Sequence, residues 1–210
     1  WESAFGVAHA PACVVLNGVP LDAYTPQGAE TRAGDRIRLL VVEANLGSGY
    51  DVGLTWAVDL AGRLQAISRR DVELVVAGSA PESLRRQVER AARTTVTWLG
   101  VVPPASIPAL DRSAHLLFAS DVMPACPNSV VEALACGLPV VSFDTGALPE
   151  LVLGDAGRIV AYGGDAWKLE PPDVEALARA AAEVAVNNEQ FRRGARARAE
   201  AGLDIETMID

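Results

Sequence analysis

Short apolar runs recur along this chain, at residues 37–42, 72–77, 94–99, 114–119, 139–143 and 158–161. They are rich in Val, Leu and Ile, and most are apolar at consecutive positions rather than alternate ones. A run of that length and pattern suits a strand buried on both faces. Between the runs lie longer stretches with helical spacing. Residues 50–67 carry Ala57, Leu60, Ala61 and Leu64 on one face, 81–93 carry Leu84 and Val88, and 172–186 carry Val174, Leu177, Ala178 and Ala181. An Arg- and Ala-rich stretch, 191–202, predicts a further helix. In 81–93 the remaining surface of Arg85, Arg86, Glu89 and Arg90 reads as a solvated face. Strands alternating with helices through short links predict an α/β fold, with one doubly wound, mainly parallel sheet and helices on both faces. A further short run, 13–16, predicts a strand that ends at Asn17-Gly18.

The 210 residues suffice for one such domain. Mean hydropathy is +0.20, and no apolar run approaches the ~20 residues that a membrane-spanning helix needs. The net charge of −9 argues against a nucleic-acid surface, which takes a basic stripe. It also means that an anionic ligand must be held by local donors rather than by the overall field. Cys13, Cys126 and Cys136 form no paired framework, and with only His9 and His115 there is no metal-ligating cluster. A reducing cytoplasm is the expected setting. Cys126 reads as a small residue in a tight turn. The chain opens on Trp1 and is read as a piece of a longer protein, with residues 1–11 as a link.

Residues 120–152 concentrate the features of a ligand site. Pro127 and Asn128 open a short helix that Gly137 and Pro139 close. A buried run follows, then Thr145-Gly146 and a second helical stretch carrying Glu150. Two helix N-termini would thus flank one strand end, where open α/β sheets bind anions. Upstream, the 37–42 run leads through Gly47-Ser48-Gly49 into a helix, another phosphate-cradle layout. A dinucleotide fingerprint needs its third Gly at position 52, but Val52 stands there and Gly53 comes one place late. On spacing alone, Ser129-x-x-Glu132 is a capping box, with Glu132 returning to the Ser129 amide. Asn128 or Ser129 would serve as an N-cap.

The run P-N-S-V-V-E-A-L-A-C-G-L-P-V-V, followed by T-G-A-L-P-E-L-V, resembles the donor-binding signature of family 4 (group 1) glycosyltransferases. An Asn17-Gly18-Val19 stretch with Tyr24 and Pro26 resembles the opening of their C-terminal domain. The resemblance implies one Rossmann-like half of a two-domain GT-B fold, residues 1–210, with 203–210 starting a crossover helix. It implies a retaining, hexosyl-type transferase that takes a nucleoside-diphosphate sugar without a metal or other cofactor. The acceptor, and any membrane contact, would belong to an N-terminal domain. It also implies that Glu132 accepts from the donor ribose hydroxyls. The amides of Asn128, Ser129 and Val130, beside Cys126, would face the diphosphate with Gly47, Ser48 and Gly49. Val101 and Val102 would read the base through their backbone, and Thr145, Gly146 and Ala147 would approach from the next strand end. Glu150 reads as a cap or tether of its helix.

Three positions depart from the family pattern. Ala44 and Ser48 stand near its diphosphate Arg and Lys, and Pro124 occupies the place of its first acidic residue. Two other classes therefore stay open beside the transferase: a nucleotide-sugar-binding module without catalysis, and a sugar-nucleotide epimerase of the same fold.

Overall fold

The computed structural model describes residues 14–28, 34–47 and 51–209. The expected link at 1–11, Cys13, Ser48, Gly49 and Tyr50 lie outside the described residues. Among those described, six strands form one sheet: β1 (Ile37–Asn45), β2 (Val72–Ser79), β3 (Thr95–Gly100), β4 (Leu116–Phe118), β5 (Val140–Phe143) and β6 (Gly157–Val160). Their order is β3-β2-β1-β4-β5-β6, and every neighbouring pair is parallel. This is the doubly wound order, in which the chain reverses direction across the sheet between β1 and β4.

The period-2 alternation of each strand decides which layer its side chains enter. Ile37, Leu39 and Val41 face one core with Leu74, Val76, Leu116, Phe118, Val141 and Phe143. Leu40, Val75, Leu117 and Val140 face the other. Both faces are apolar because both are covered. On the first face lie α1 (Asp51–Ser68), α2 (Glu82–Ala91) and α6 (Val174–Val186). On the second lie α3 (Ile107–Ser113), α4 (Asn128–Ala135), α5 (Leu148–Leu151) and α7 (Asn188–Gly202). The last element is α8 (Ile205–Ile209). The expected inward faces of α1, α2 and α6 are buried, and Asp173 caps α6 by accepting the Ala176 amide at 2.8 Å.

One reading of the sequence changes here. No strand runs through Val14, Val15 and Leu16, and the two valines are 79% and 61% exposed. Among the described residues the pairing at this end is a single bridge, Val19 to Asp204, with the Val19 amide on the Leu203 carbonyl and the Ile205 amide on the Val19 carbonyl. Gly18 lies against the Ile205 backbone, where a Cβ would come within 2.8 Å. The segment is therefore a strap lying against the start of α8 instead of a sheet strand. The charged face of α2 is exposed at Arg86, Glu89 and Arg90, as expected, and it also reaches the sheet edge. Arg85 stacks over Trp98 at 5.3 Å, and Glu89 accepts the Trp98 indole N–H at 3.1 Å. Together they cover the sheet edge at β3.

One glycine sets how close the layers come. A Cβ on Gly53, in the first turn of α1, would meet the Ser120 carbonyl oxygen at 1.8 Å. That is the helix-packing role of the third Gly in a dinucleotide fingerprint, met here one place late.

Candidate donor-nucleotide site

At the carboxyl ends of the strands a cavity of about 580 Å³ opens beside the β1/β4 reversal. Its walls come from the end of β1 (Val42 to Asn45), the end of β2 (Ala77, Gly78), the turn after β3 (Val101, Val102), Asp121 after β4, and the start of α4. Here β1 carries a bulge: Val42 pairs with Ala77 and Asn45 with Ser79, so Glu43 and Ala44 together oppose Gly78. Such a bulge bends its strand and re-aims side chains, and Glu43 and Ala44 both line the cavity.

Of the sequence-predicted residues, Glu132, Asn128, Ser129, Val101 and Val102 meet in this cavity. Pro127 is the first residue before α4 and supplies no side-chain cap. Its carbonyl accepts the Val130 amide at 3.1 Å, and Val130 itself is buried. The orphan donors left at this helix start are the amides of Asn128 and Ser129. Gly47 lies at the neighbouring turn, its amide held by the Asn45 side chain at 2.9 Å. Ser48 and Gly49 lie outside the described residues. Thr145, Gly146 and Ala147 brace the site from behind. The Ala147 amide donates to the Pro124 carbonyl at 2.8 Å, and a Cβ on Gly146 would meet that carbonyl oxygen at 2.2 Å. The Thr145 amide is engaged by the Phe143 carbonyl. Cys126 is also a brace, its sulfur accepting the Asn17 amide at 3.4 Å.

The capping box is not formed. The helix begins at Asn128, which places Ser129 inside the first turn, and the Glu132 carboxylate accepts the Tyr24 hydroxyl at 3.2 Å. Burial raises the Glu132 carboxyl above its ordinary range, and the Tyr24 hydrogen bond works against that rise. Burial and the Glu132 charge push Tyr24 up to about 12, so its hydroxyl stays a donor. Glu150 does not cap α5 either. Its side chain is exposed, and its carbonyl accepts Arg198 at 3.2 Å.

Asn17 pins the motif loop. Its side-chain amide donates to the Cys126 carbonyl at 3.1 Å and to the Asn128 side chain at 2.8 Å. Beneath α4 lies Asp111, fully buried, with its carboxyl raised well above normal by burial and by Glu132. Burial likewise pushes the Cys136 thiol beside it up.

Sequence reasoning missed Glu43 as a wall of this cavity. No motif pointed to Glu43, because its exposure to the cavity comes from the bulge. Among the described residues the cavity lining carries three carboxylates, Glu43, Asp121 and Glu132, and no Lys or Arg. A larger concavity of about 770 Å³ lies beside α7 among Arg112, Arg192 and Arg196. Arg192 and Arg196 donate to the carbonyls of Ala114, Cys136, Leu21, Tyr24 and Ala135. Those bonds hold residues 21–24, the end of α4 and the turn before β4 to α7, so the smaller cavity is the better candidate.

The family model described as "Glycosyl transferases group 1" matches residues 38–187, which includes every wall of the cavity. The chain belongs to the group 1 glycosyl transferases. It is 32% identical over 101 residues to the O-antigen chain mannosyltransferase B of Escherichia coli, covering 48% of this chain and 24% of that protein. Among solved structures, the sucrose-phosphate synthase of Thermosynechococcus elongatus superposes with a TM-score of 0.71 at 16% identity. That match covers 99% of this chain and 52% of the other. Anabaena HepE, crystallised with UDP-glucose, gives 0.70 at 20% identity, covering 93% and 54%. This glycosyl transferase chain thus spans about half the length of the structures it matches. Its Rossmann-like sheet corresponds to one half of their fold. Among the described residues no helix is long and apolar enough to cross a membrane.

Proposed function

We propose that this chain is the donor-nucleotide half of a retaining, hexosyl-type glycosyltransferase. It holds a nucleoside-diphosphate sugar, and a facing N-terminal domain holds the acceptor. The observation that carries the reading is the placement of Glu132. Its carboxylate lies in the cavity wall one turn inside α4, oriented by Tyr24, in a member of the glycosyl transferase family.

A carboxylate there can accept both hydroxyls of a ribose. The Asn128 and Ser129 amides and the α4 dipole favour the diphosphate, with Gly47, Ser48 and Gly49 as the second cradle. On this reading the backbone at Val101 and Val102, which line the same cavity, reads the base edge. Transfer on this reading uses protein donors for the leaving group, needs no metal, and takes place in the cytoplasm. The UDP-glucose complex of HepE makes a uridine nucleotide one natural probe, and the mannosyltransferase relative makes GDP-mannose another.

Calorimetry of the 210-residue chain against UDP-glucose and GDP-mannose tests this directly. One of them is expected to bind. Glu132→Ala should weaken that binding by about a hundredfold, the scale of losing a charge-assisted pair of hydrogen bonds. The melting temperature should move little. Binding that is indifferent to Glu132→Ala would remove the ribose role. The chain alone is expected to bind without transferring sugar, and turnover by it would overturn the two-domain reading. The lining, which holds no cation among the described residues, also favours a second reading, a binding module without catalysis. Sugar transfer by the longer protein, with its facing domain present, separates the two.

A further inference from the structure

The cavity presents a difficulty for any anionic ligand. Among the described residues its lining carries three carboxylates and no cationic side chain, in a chain of net charge −9. Glu132 has a partner in Tyr24. Asp121 accepts the Met123 amide at 3.2 Å, which commits an oxygen to an acceptor role. Glu43 is placed differently. The β1 bulge sets it in the wall at the β1/β4 reversal, between Gly78 on one side and Asp121 on the other. Its backbone has no room to withdraw, since even a Cβ on Gly78 would lie 1.8 Å from the Glu43 carbonyl oxygen. The contact recorded for its side chain is a long hydrogen bond from the Ser120 hydroxyl, at 3.4 Å. Of the other walls, Ala77, Val101, Val102, Pro104 and Ile107 bring no charge, and Asn45 and Asn128 bring only neutral amides.

We propose that Glu43 is a donor-contacting side chain of this cavity that enters the complex as a neutral carboxylic acid, donating a hydrogen bond to the sugar diphosphate. It thus takes over part of the work of an absent cation, and donor binding takes up a proton. The proposal rests on the donor-site reading above. Burial, reinforced by the Asp121 charge and opposed by the Ser120 hydrogen bond, raises Glu43 to about 7. Near neutrality a large fraction of the free chain therefore already carries the proton, and an arriving diphosphate favours the protonated form further. Above that range the ionised Glu43 repels the ligand.

The test uses UDP-glucose and GDP-mannose, whose diphosphates are esterified at both ends and carry no group that titrates near neutrality. For the natural chain, affinity for the binding nucleotide sugar should fall about tenfold between about pH 6 and pH 8. Calorimetry in two buffers of different ionisation enthalpy should show proton uptake on binding. Glu43→Gln keeps the shape of the protonated acid and should bind nearly as well at both pH values, without proton uptake. A pH-independent affinity in the natural chain, or the same fall in Glu43→Gln, overturns the proposal and leaves the donor site standing. The buffer comparison needs no variant, so a Glu43→Gln chain that fails to fold does not remove the test. If neither nucleotide sugar binds at any pH, the donor-site reading fails and this proposal fails with it.

Discussion

The two ends of the sheet treat the same side chain in opposite ways. At the amino end, Glu73 on β2 is nearly buried beside Arg38, its register partner on β1. Arg38 donates to it at 3.1 Å and Thr97 at 2.7 Å, while Arg38 also reaches the Ser113 hydroxyl. Burial alone would raise the Glu73 carboxyl, but the Thr97 and Arg38 hydrogen bonds bring it below normal. At the carboxyl end, Glu43 is raised to about 7 by burial, with Asp121 adding to the rise. One end satisfies its buried charge and serves stability. The other leaves carboxylates facing a cavity, as sites that bind and react commonly do.

The signs with pH are opposite too. Glu73 is a depressed carboxylate, so its stabilisation is present above the ordinary carboxylate range and is lost as pH falls through its folded value. Glu43 holds its proton in the folded chain after the unfolded chain has lost it. The folded chain therefore loses stability as pH rises from about 4.5 to about 7.

Breaking the amino end should have the largest effect. Arg38→Met leaves Glu73 buried without its cation and should cost about 3 kcal/mol in urea unfolding at neutral pH. Nucleotide-sugar affinity should not change. A loss of under about 0.5 kcal/mol would place this pair among surface ion pairs of little worth and erase the contrast.

Glu43→Gln should act in the other direction. The variant is expected to be more stable than the natural chain by about 2 kcal/mol near pH 8, and equally stable near pH 4, where both folded and unfolded chains are protonated. Thermal melts across that range would show it. A stability difference that stays constant with pH means that Glu43 ionises freely.

Ala44→Arg gives the smallest effect and sharpens the comparison by placing a cation in the carboxyl-end cavity that Ala44 lines. It should tighten nucleoside-diphosphate-sugar binding by roughly tenfold, the value of one charge-assisted hydrogen bond. Affinity for the nucleoside without phosphates should not change. Equal gains for both ligands would show that the end of β1 lies near the base rather than the diphosphate.

Much of the molecule was legible in advance. All six sheet strands start within two residues of their expected starts, because strands buried on both faces leave runs of Val, Leu and Ile that few other structures tolerate. β4 is shorter than its apolar run, Leu116–Phe118 within 114–119, since pairing stops before the side chains leave the core. The start of α4 was legible from Pro127-Asn128, and its short length from Gly137. The 13–16 strand was misread because apolar composition does not say whether a neighbour is free to pair with it.

What the sequence determined by itself is therefore the local record: which segments are strands, which helix faces are apolar, and that Glu132 sits one turn into a helix at a strand end. Those features depend on residues a few positions apart. Tertiary structure decided the chemistry around them. Tyr24 meets Glu132 across 108 positions and Asn17 meets Asn128 across 111. The capping box lost to that long-range partner. Glu43 reaches the cavity because a bulge shifts β1 against β2, and its proton is held by burial and by Asp121, which only folding brings near. The charge state of a side chain depends on everything that replaces its water, and no local pattern of residues specifies that.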